Sequence, residues 1–215
     1  MFACPLPEPI PMSEPSPIVL VVDDDPALRD SIAFLVGSVG YDCRSFASAE
    51  LFLKEWRDDR PACLIADVRM PGMSGLELQK ILTEKASSLG VIFVTGHGDV
   101  PMAVRAMRGG AIDFLQKPFD DQLLLDRIHE ALQRSTRARK SAEEQNAVEA
   151  RLARLTPREH DVLVLVVAGK ANKQIAAELD ISIKTVEVHR HNVMDKMETA
   201  SLAELAALMA GRVSG

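Results

Sequence analysis

The chain has 215 residues, enough for two small domains, and its 47% hydrophobic and 26% charged residues describe a globular protein with apolar mass for two cores. A net charge of −6 excludes a uniformly basic coat, so any surface that binds nucleic acid must be local. No apolar run approaches the ~20 residues that span a bilayer, and Cys4, Cys43 and Cys63 form neither a paired framework nor a CxxC or CxxH metal motif, which predicts reduced thiols in a cytoplasmic protein.

Residues 1–17 hold six prolines and no Lys or Arg, and read as a disordered lead-in rather than a signal peptide, with Met12 an alternative start. From Ile18 onward short β-rich runs alternate with amphipathic stretches. Strands are predicted at 18–22, 41–46, 62–66, 91–95 and 111–115, and helices near 26–38, 48–57, 74–87 and 100–108. All but the second strand are near-continuous apolar runs, the pattern of parallel strands covered on both faces. Five βα units make an open, doubly wound parallel sheet, an α/β fold occupying residues 18–133. Cys63, inside PACLIAD, reads as a small core residue.

The stripe Leu123, Leu124, Ile128, Leu132 predicts a last helix of this domain, which runs on into a helical linker over 134–154. Residues 155–215 read as a compact all-α unit with helices near 157–168, 172–179, 183–197 and 201–211. Thr156-Pro157-Arg158-Glu159 supplies a cap, a proline at the first helical position and an acid in the first turn, Gly169 suits the end of that helix, and Asn172 suits the next cap.

In an open α/β sheet, ligands gather beyond the carboxyl ends of the strands. Asp23, Asp24 and Asp25 follow the first strand, Asp67 the third, Thr95 ends the fourth and Lys117 follows the fifth. Grouped carboxylates repel unless a cation lies among them, and oxygen ligands of this kind suit Mg²⁺. A carboxylate can attack phosphorus to give an acyl phosphate, while a metal and a lysine neutralise the transferring group. The plainer alternative, that Asp23 to Asp25 cap the next helix, does not explain Asp67 or Lys117.

In NKQIAAELDISIKTVEVHRHNVMDKM two helices meet at Asp180 to Ser182. Burying Val186, Val193 and Met197 leaves Lys184, Glu187, Val188, His191 and Asp195 on an outer polar face, as a major-groove reader requires, with Lys184 or Arg190 available to phosphates. Residues 155–215 carry seven basic and eight acidic residues, so one copy should bind weakly and gain by dimerisation.

VVDDDPALR, LIADVRMPGMSGLEL, VTGHGD and KPF together resemble the receiver domain of two-component signalling, a flavodoxin-like five-stranded fold. The resemblance implies Asp67 as phosphoacceptor, Asp24 and Asp23 with the backbone carbonyl of Arg69 as Mg²⁺ ligands, and Thr95, Lys117 and Phe114 as phosphoryl-binding and switch residues. It further implies a cis Lys117-Pro118 bond. GHGDVPMAVRAMRGGAIDFLQKPF resembles the NarL/FixJ branch, which implies a dimerisation surface at Met102, Val104, Ala106 and Met107; His97 reads as a loop residue near the site entrance. LTPREHDVLVLVVAGKANKQIAAELDISIKTVEVHRHNVMDKM resembles the LuxR-type helix-turn-helix. There Lys173 and Thr185 would contact backbone, and Glu187, Val188 and His191 would face bases, with His189 structural. The partners implied are a sensor histidine kinase, promoter DNA, RNA polymerase in an activating role and a second copy of the chain. Two other readings remain open on the residues alone, a Mg²⁺-dependent aspartyl-phosphate hydrolase and a phosphorylation-independent DNA-binding adaptor. Arg69 stands two residues after Asp67, where such hydrolases carry a second acid.

Overall fold

The computed structural model describes residues 16–96 and 99–210. Residues 1–15 of the lead-in, with Cys4 and Met12, fall before them, and His97 lies between them. The chain divides into two compact units between Arg139 and Lys140.

The first unit runs β1 (Ile18–Val22), α1 (Pro26–Ser38), β2 (Asp42–Phe46), α2 (Ala49–Glu55), β3 (Ala62–Ala66), α3 (Gly75–Glu84), β4 (Gly90–Thr95), α4 (Val100–Arg108) and β5 (Asp113–Gln116). α5 (Asp121–Leu152) is one 32-residue helix. All strand pairs are parallel, in the order β2-β1-β3-β4-β5. This order, 2-1-3-4-5, is the flavodoxin-like doubly wound topology, and its switch point lies between β1 and β3.

Side chains alternate across the sheet with the strand period of two. Leu20, Val22, Leu64, Ala66 and Phe93 pack under Phe52, Leu78, Met102 and Ala106 on one face. Val19, Val21, Cys63, Ile65, Ile92 and Val94 meet Ile32, Val36, Leu124 and Ile128 on the other. β1, β3 and β4 are buried along their whole length, whereas β2 is an edge strand with only Phe46 buried, which explains why its sequence alternates. Burial drives the Cys63 thiol well above its ordinary range and pushes Cys43 up to about 11, so both are poor nucleophiles.

The caps follow sequence chemistry. Ser48 accepts from Leu51 N, and Ser74 and Glu77 form a reciprocal capping box. β5 begins at Asp113 rather than 111, because the Ala111 amide still donates to Ala106 O and closes α4. At the amino edge of the sheet, the buried Ser135 hydroxyl accepts from Ala62 N at 3.0 Å. Arg139 Nη1 donates to Asp58 O at 2.9 Å. These contacts hold α5 to the sheet beyond its last apolar turn.

The second unit comprises the end of α5 with α6 (Pro157–Val167), α7 (Asn172–Leu179), α8 (Ile183–Met197) and α9 (Leu202–Ala210). Val148, Val162, Leu163, Ile175, Val186, Val193, Met197 and Leu205 form its core. Thr156 and Glu159 make the capping box that opens α6, with Pro157 in its first turn. The cap of α7 is Ala171, not Asn172: Gln174 accepts the Ala171 amide, while Asn172 Oδ1 accepts from Arg190 Nη1 at 2.7 Å. Asp180 takes the left-handed conformation that ends α7, and Ser182 caps α8. Among the described residues no helix is long and apolar enough to cross a membrane.

Candidate functional site

The carboxyl ends of β1, β3, β4 and β5 converge. Asp23, Asp24 and Asp67 each offer a carboxylate oxygen, and these oxygens all lie within 4.8 Å of one another. Asp23 and Asp67 are buried, and Asp24 is exposed. Lys117 Nζ donates to Asp23 Oδ2 at 2.7 Å and to Asp67 Oδ2 at 2.9 Å. The other Asp67 oxygen accepts Arg69 N at 3.0 Å. Thr95 is buried at the end of β4, and its carbonyl accepts Lys117 N at 2.9 Å. Lys117-Pro118 is cis.

The capping alternative holds for one of the three consecutive acids. Asp25 Oδ1 accepts Ala27 N and caps α1, whereas Asp23 and Asp24 join Asp67. Two residues outside the expected set support the site. Arg29 Nη1 donates to Asp23 O at 2.7 Å and fixes the turn after β1. Gly75 is required by close approach, since a Cβ there would lie 2.2 Å from Asp67 O. Both stand inside the quoted motifs, but nothing in their spacing names their partners.

The electrostatics favour a cation. Burial pushes the Asp23 carboxyl above its ordinary value, although Lys117 and the Asp25 amide pull it down. Burial alone would lower the Lys117 amine, but its bonds to Asp23 and Asp67 carry it above its ordinary value. A carboxyl raised in the folded state favours folding below its unfolded pKa, and this contribution is lost as pH rises through the folded pKa. Burying a carboxylate at Asp23 therefore carries a cost that a nearby cation offsets. Three carboxylates against one ammonium leave a net negative pocket of oxygen donors, a set that fits Mg²⁺.

Phe114 on β5 is half-buried against the core, 6.4 Å between ring centroids from Phe93. The expected exposed strip on α4 needs correction. Met102 and Ala106, one turn apart, are 6% and 0% exposed and belong to the core, while Val104 and Met107 are 43% and 46% exposed. Val100, 77% exposed, extends the outer strip.

In the second unit Val186, Val193 and Met197 face inward, and Lys184, Glu187, Val188, His191 and Asp195 are exposed on α8, with Lys173 exposed on α7. Thr185 Oγ1 lies 2.8 Å from Ser182 Oγ at the start of α8. Arg190 is half-buried on Asn172, so its guanidinium ties α8 to α7 before it can serve a phosphate. His189 is half-buried, and its Nδ1 is buried without a hydrogen-bond partner among the described residues. Unlooked for in the sequence, Lys196 Nζ reaches the buried Glu159 Oε2 at 2.6 Å.

A flavodoxin-like sheet that gathers acids, a hydroxyl and an amine at its switch point, followed by a helix-turn-helix, defines a response regulator with a DNA-binding output. Residues 19–129 match the response regulator receiver domain, and residues 153–209 match the luxR family of bacterial regulatory proteins. The transcriptional regulatory protein FixJ of Bradyrhizobium diazoefficiens is 45% identical over 190 residues, covering 88% of this chain and 93% of FixJ. The response regulator TodT of Pseudomonas putida is 43% identical over 194 residues, covering 90% and 86%. The structure of the response regulator StyR superposes with a TM-score of 0.84 at 46% identity, covering 91% of this chain and 99% of StyR. The chain belongs to the NarL/FixJ family of response regulators, joining a receiver to a LuxR-type DNA-binding domain.

Proposed function

We propose that Asp67 accepts a phosphoryl group from a sensor histidine kinase and that the acyl phosphate controls promoter binding by the C-terminal domain. The observation that carries this reading is the cluster of Asp23, Asp24 and Asp67 with Lys117 bonded to two of the three. In the transfer an Asp67 oxygen attacks phosphorus, the phosphorus–nitrogen bond of the donor breaks, and the histidine nitrogen leaves with its electron pair. Asp23, Asp24, Asp67 and the Arg69 carbonyl would hold Mg²⁺, which when bound supplies positive charge to the phosphoryl oxygens. Lys117 adds a second cation, and the Thr95 hydroxyl donates to a phosphoryl oxygen. Drawing Thr95 inward opens space for Phe114.

The response is a population shift, so unphosphorylated protein retains some activity. Exposed Val104 and Met107, with Val100, form the surface on which two receivers pair. Pairing raises the effective concentration of a domain whose own charge is −1 over residues 155–215. Lys173, Lys184 and Thr185 would contact the DNA backbone and Glu187, Val188 and His191 the bases, with RNA polymerase recruited to a cytoplasmic promoter. Arg190 supports this helix through Asn172.

Incubation with acetyl phosphate and Mg²⁺ tests the reading. The expected result is one labile phosphoryl group per chain and no sustained turnover. Steady release of phosphate would instead make the protein a hydrolase.

A further inference from the structure

Between Asp67 and α3 the chain makes a turn, residues 68–74, that must hold the Arg69 carbonyl and the Asp67 backbone in register with Asp23 and Asp24 from another strand. Its ends are fixed. Asp67 N donates to Val22 O at 2.9 Å, Gly75 N donates to Val68 O at 3.1 Å, and the Ser74–Glu77 capping box anchors the start of α3. Just before that cap it is also held by a residue from elsewhere: Glu50 Oε1, in the first turn of α2, accepts Met73 N at 2.8 Å. The same carboxylate lies over Gly72, where a Cβ would stand 2.6 Å from Oε1, and Gly72 has a φ of +80°, a conformation that side chains resist.

We propose that Glu50 is a positioning residue for the magnesium site, clamping the loop after Asp67 so that its oxygen ligands are preset. The inference deepens the phosphoacceptor reading and rests on it. Three features make the clamp more than a surface contact. Phe52, two residues further along α2, is fully buried, so the base of the clamp is fixed to the core. Bonds from its own amide, the Met73 amide and Ser48 hold the Glu50 carboxyl below its ordinary value, so the acceptor is charged at neutral pH and the bond is the stronger for it. Finally, the clamp joins segments 23 residues apart in sequence, tying the start of α2 to the loop after β3. Groups that orient metal ligands govern affinity by sparing the metal the cost of ordering them.

The test compares Glu50→Ala, which loses the acceptor, with Glu50→Gln, which keeps an oxygen in place, in the full chain. Amide exchange of Met73 is read without metal, Mg²⁺ affinity by calorimetry, and receiver stability by Trp56 fluorescence. The expected result is faster Met73 exchange and roughly tenfold weaker Mg²⁺ binding for Glu50→Ala, at nearly unchanged stability, with Glu50→Gln between Glu50→Ala and wild type, since it keeps the bond but not its charge. Wild-type Mg²⁺ affinity in Glu50→Ala despite a loosened Met73 amide would overturn the proposal. Equal loss in both variants would also overturn it, since charge rather than the amide bond would then be responsible. If wild-type protein bound Mg²⁺ with this dependence on Glu50 but took no phosphoryl group on Asp67, the phosphoacceptor reading alone would fail and the clamp would stand.

Discussion

Replacing Lys117 by methionine keeps the apolar stem and removes the ammonium that bridges Asp23 and Asp67 at 2.7 and 2.9 Å. Breaking one side of a buried ion pair costs about 3–5 kcal/mol. The Lys117 side chain is 22% exposed, so solvent screening brings the expected loss to about 2–3 kcal/mol. Trp56 is the single tryptophan and lies in the first unit, so its fluorescence follows receiver unfolding without interference from the C-terminal helices. With a urea dependence of about 1–3 kcal/mol per molar, the midpoint in EDTA should fall by about 1–2 M. Mg²⁺ should narrow the gap, because the variant's uncompensated carboxylates gain more from a cation; a hundredfold excess over Kd is worth about 2.7 kcal/mol. A variant as stable as wild type in EDTA, or a gap unchanged by Mg²⁺, would refute the electrostatic argument.

Other consequences reach the rest of the chain. The bond from Lys196, with the Thr156 amide, lowers the Glu159 carboxyl to about 2, so its contribution is present above pH 4.5 and lost as pH falls toward 2. Since Lys196 is 32% exposed, Glu159→Gln should weaken the C-terminal unit by about 1–2 kcal/mol at pH 7. Exchange of the Leu163, Ile175 and Val193 amides measures this, and the difference should shrink at pH 3. Val104→Glu should leave a folded receiver that stays monomeric by light scattering after phosphorylation, whereas Met102→Glu, which buries a charge, should lower the Trp56-detected midpoint; reversed outcomes would move the pairing surface. Lys184→Ala should reduce the slope of log affinity against log salt by about 1 on any duplex, as expected for one lost phosphate contact, and an unchanged slope would take Lys184 off the backbone.

The sheet was legible because parallel strands buried on both faces must be apolar throughout, and IVLVV, ACLIA and VIFVT leave little else to be. The acids were legible because a strand's last residue marks the sheet edge on which its successor falls. Helix starts showed through Thr156 and Pro157, whose side chain and fixed φ act locally. What escaped was tertiary. Periodicity gives α4 a stripe, but which of Met102 or Met107 meets the sheet depends on how the helix docks. The Asn172–Arg190, Glu159–Lys196 and Glu50–Met73 contacts join residues 18, 37 and 23 apart, which no local pattern encodes. Ala171 caps α7 only because Gln174 folds back onto its amide, so a search for a capping side chain chose Asn172 instead.

The most direct measurement is the chemical identity of the labelled residue. Acyl phosphates are reduced by borohydride, which converts a phosphorylated aspartate to homoserine, and peptide sequencing then reports where. After incubation of the full chain with acetyl phosphate and Mg²⁺, homoserine should stand at position 67 alone, and Asp67→Asn should yield none. Reduction at position 23 or 24, or none in the wild-type chain, would contradict the account.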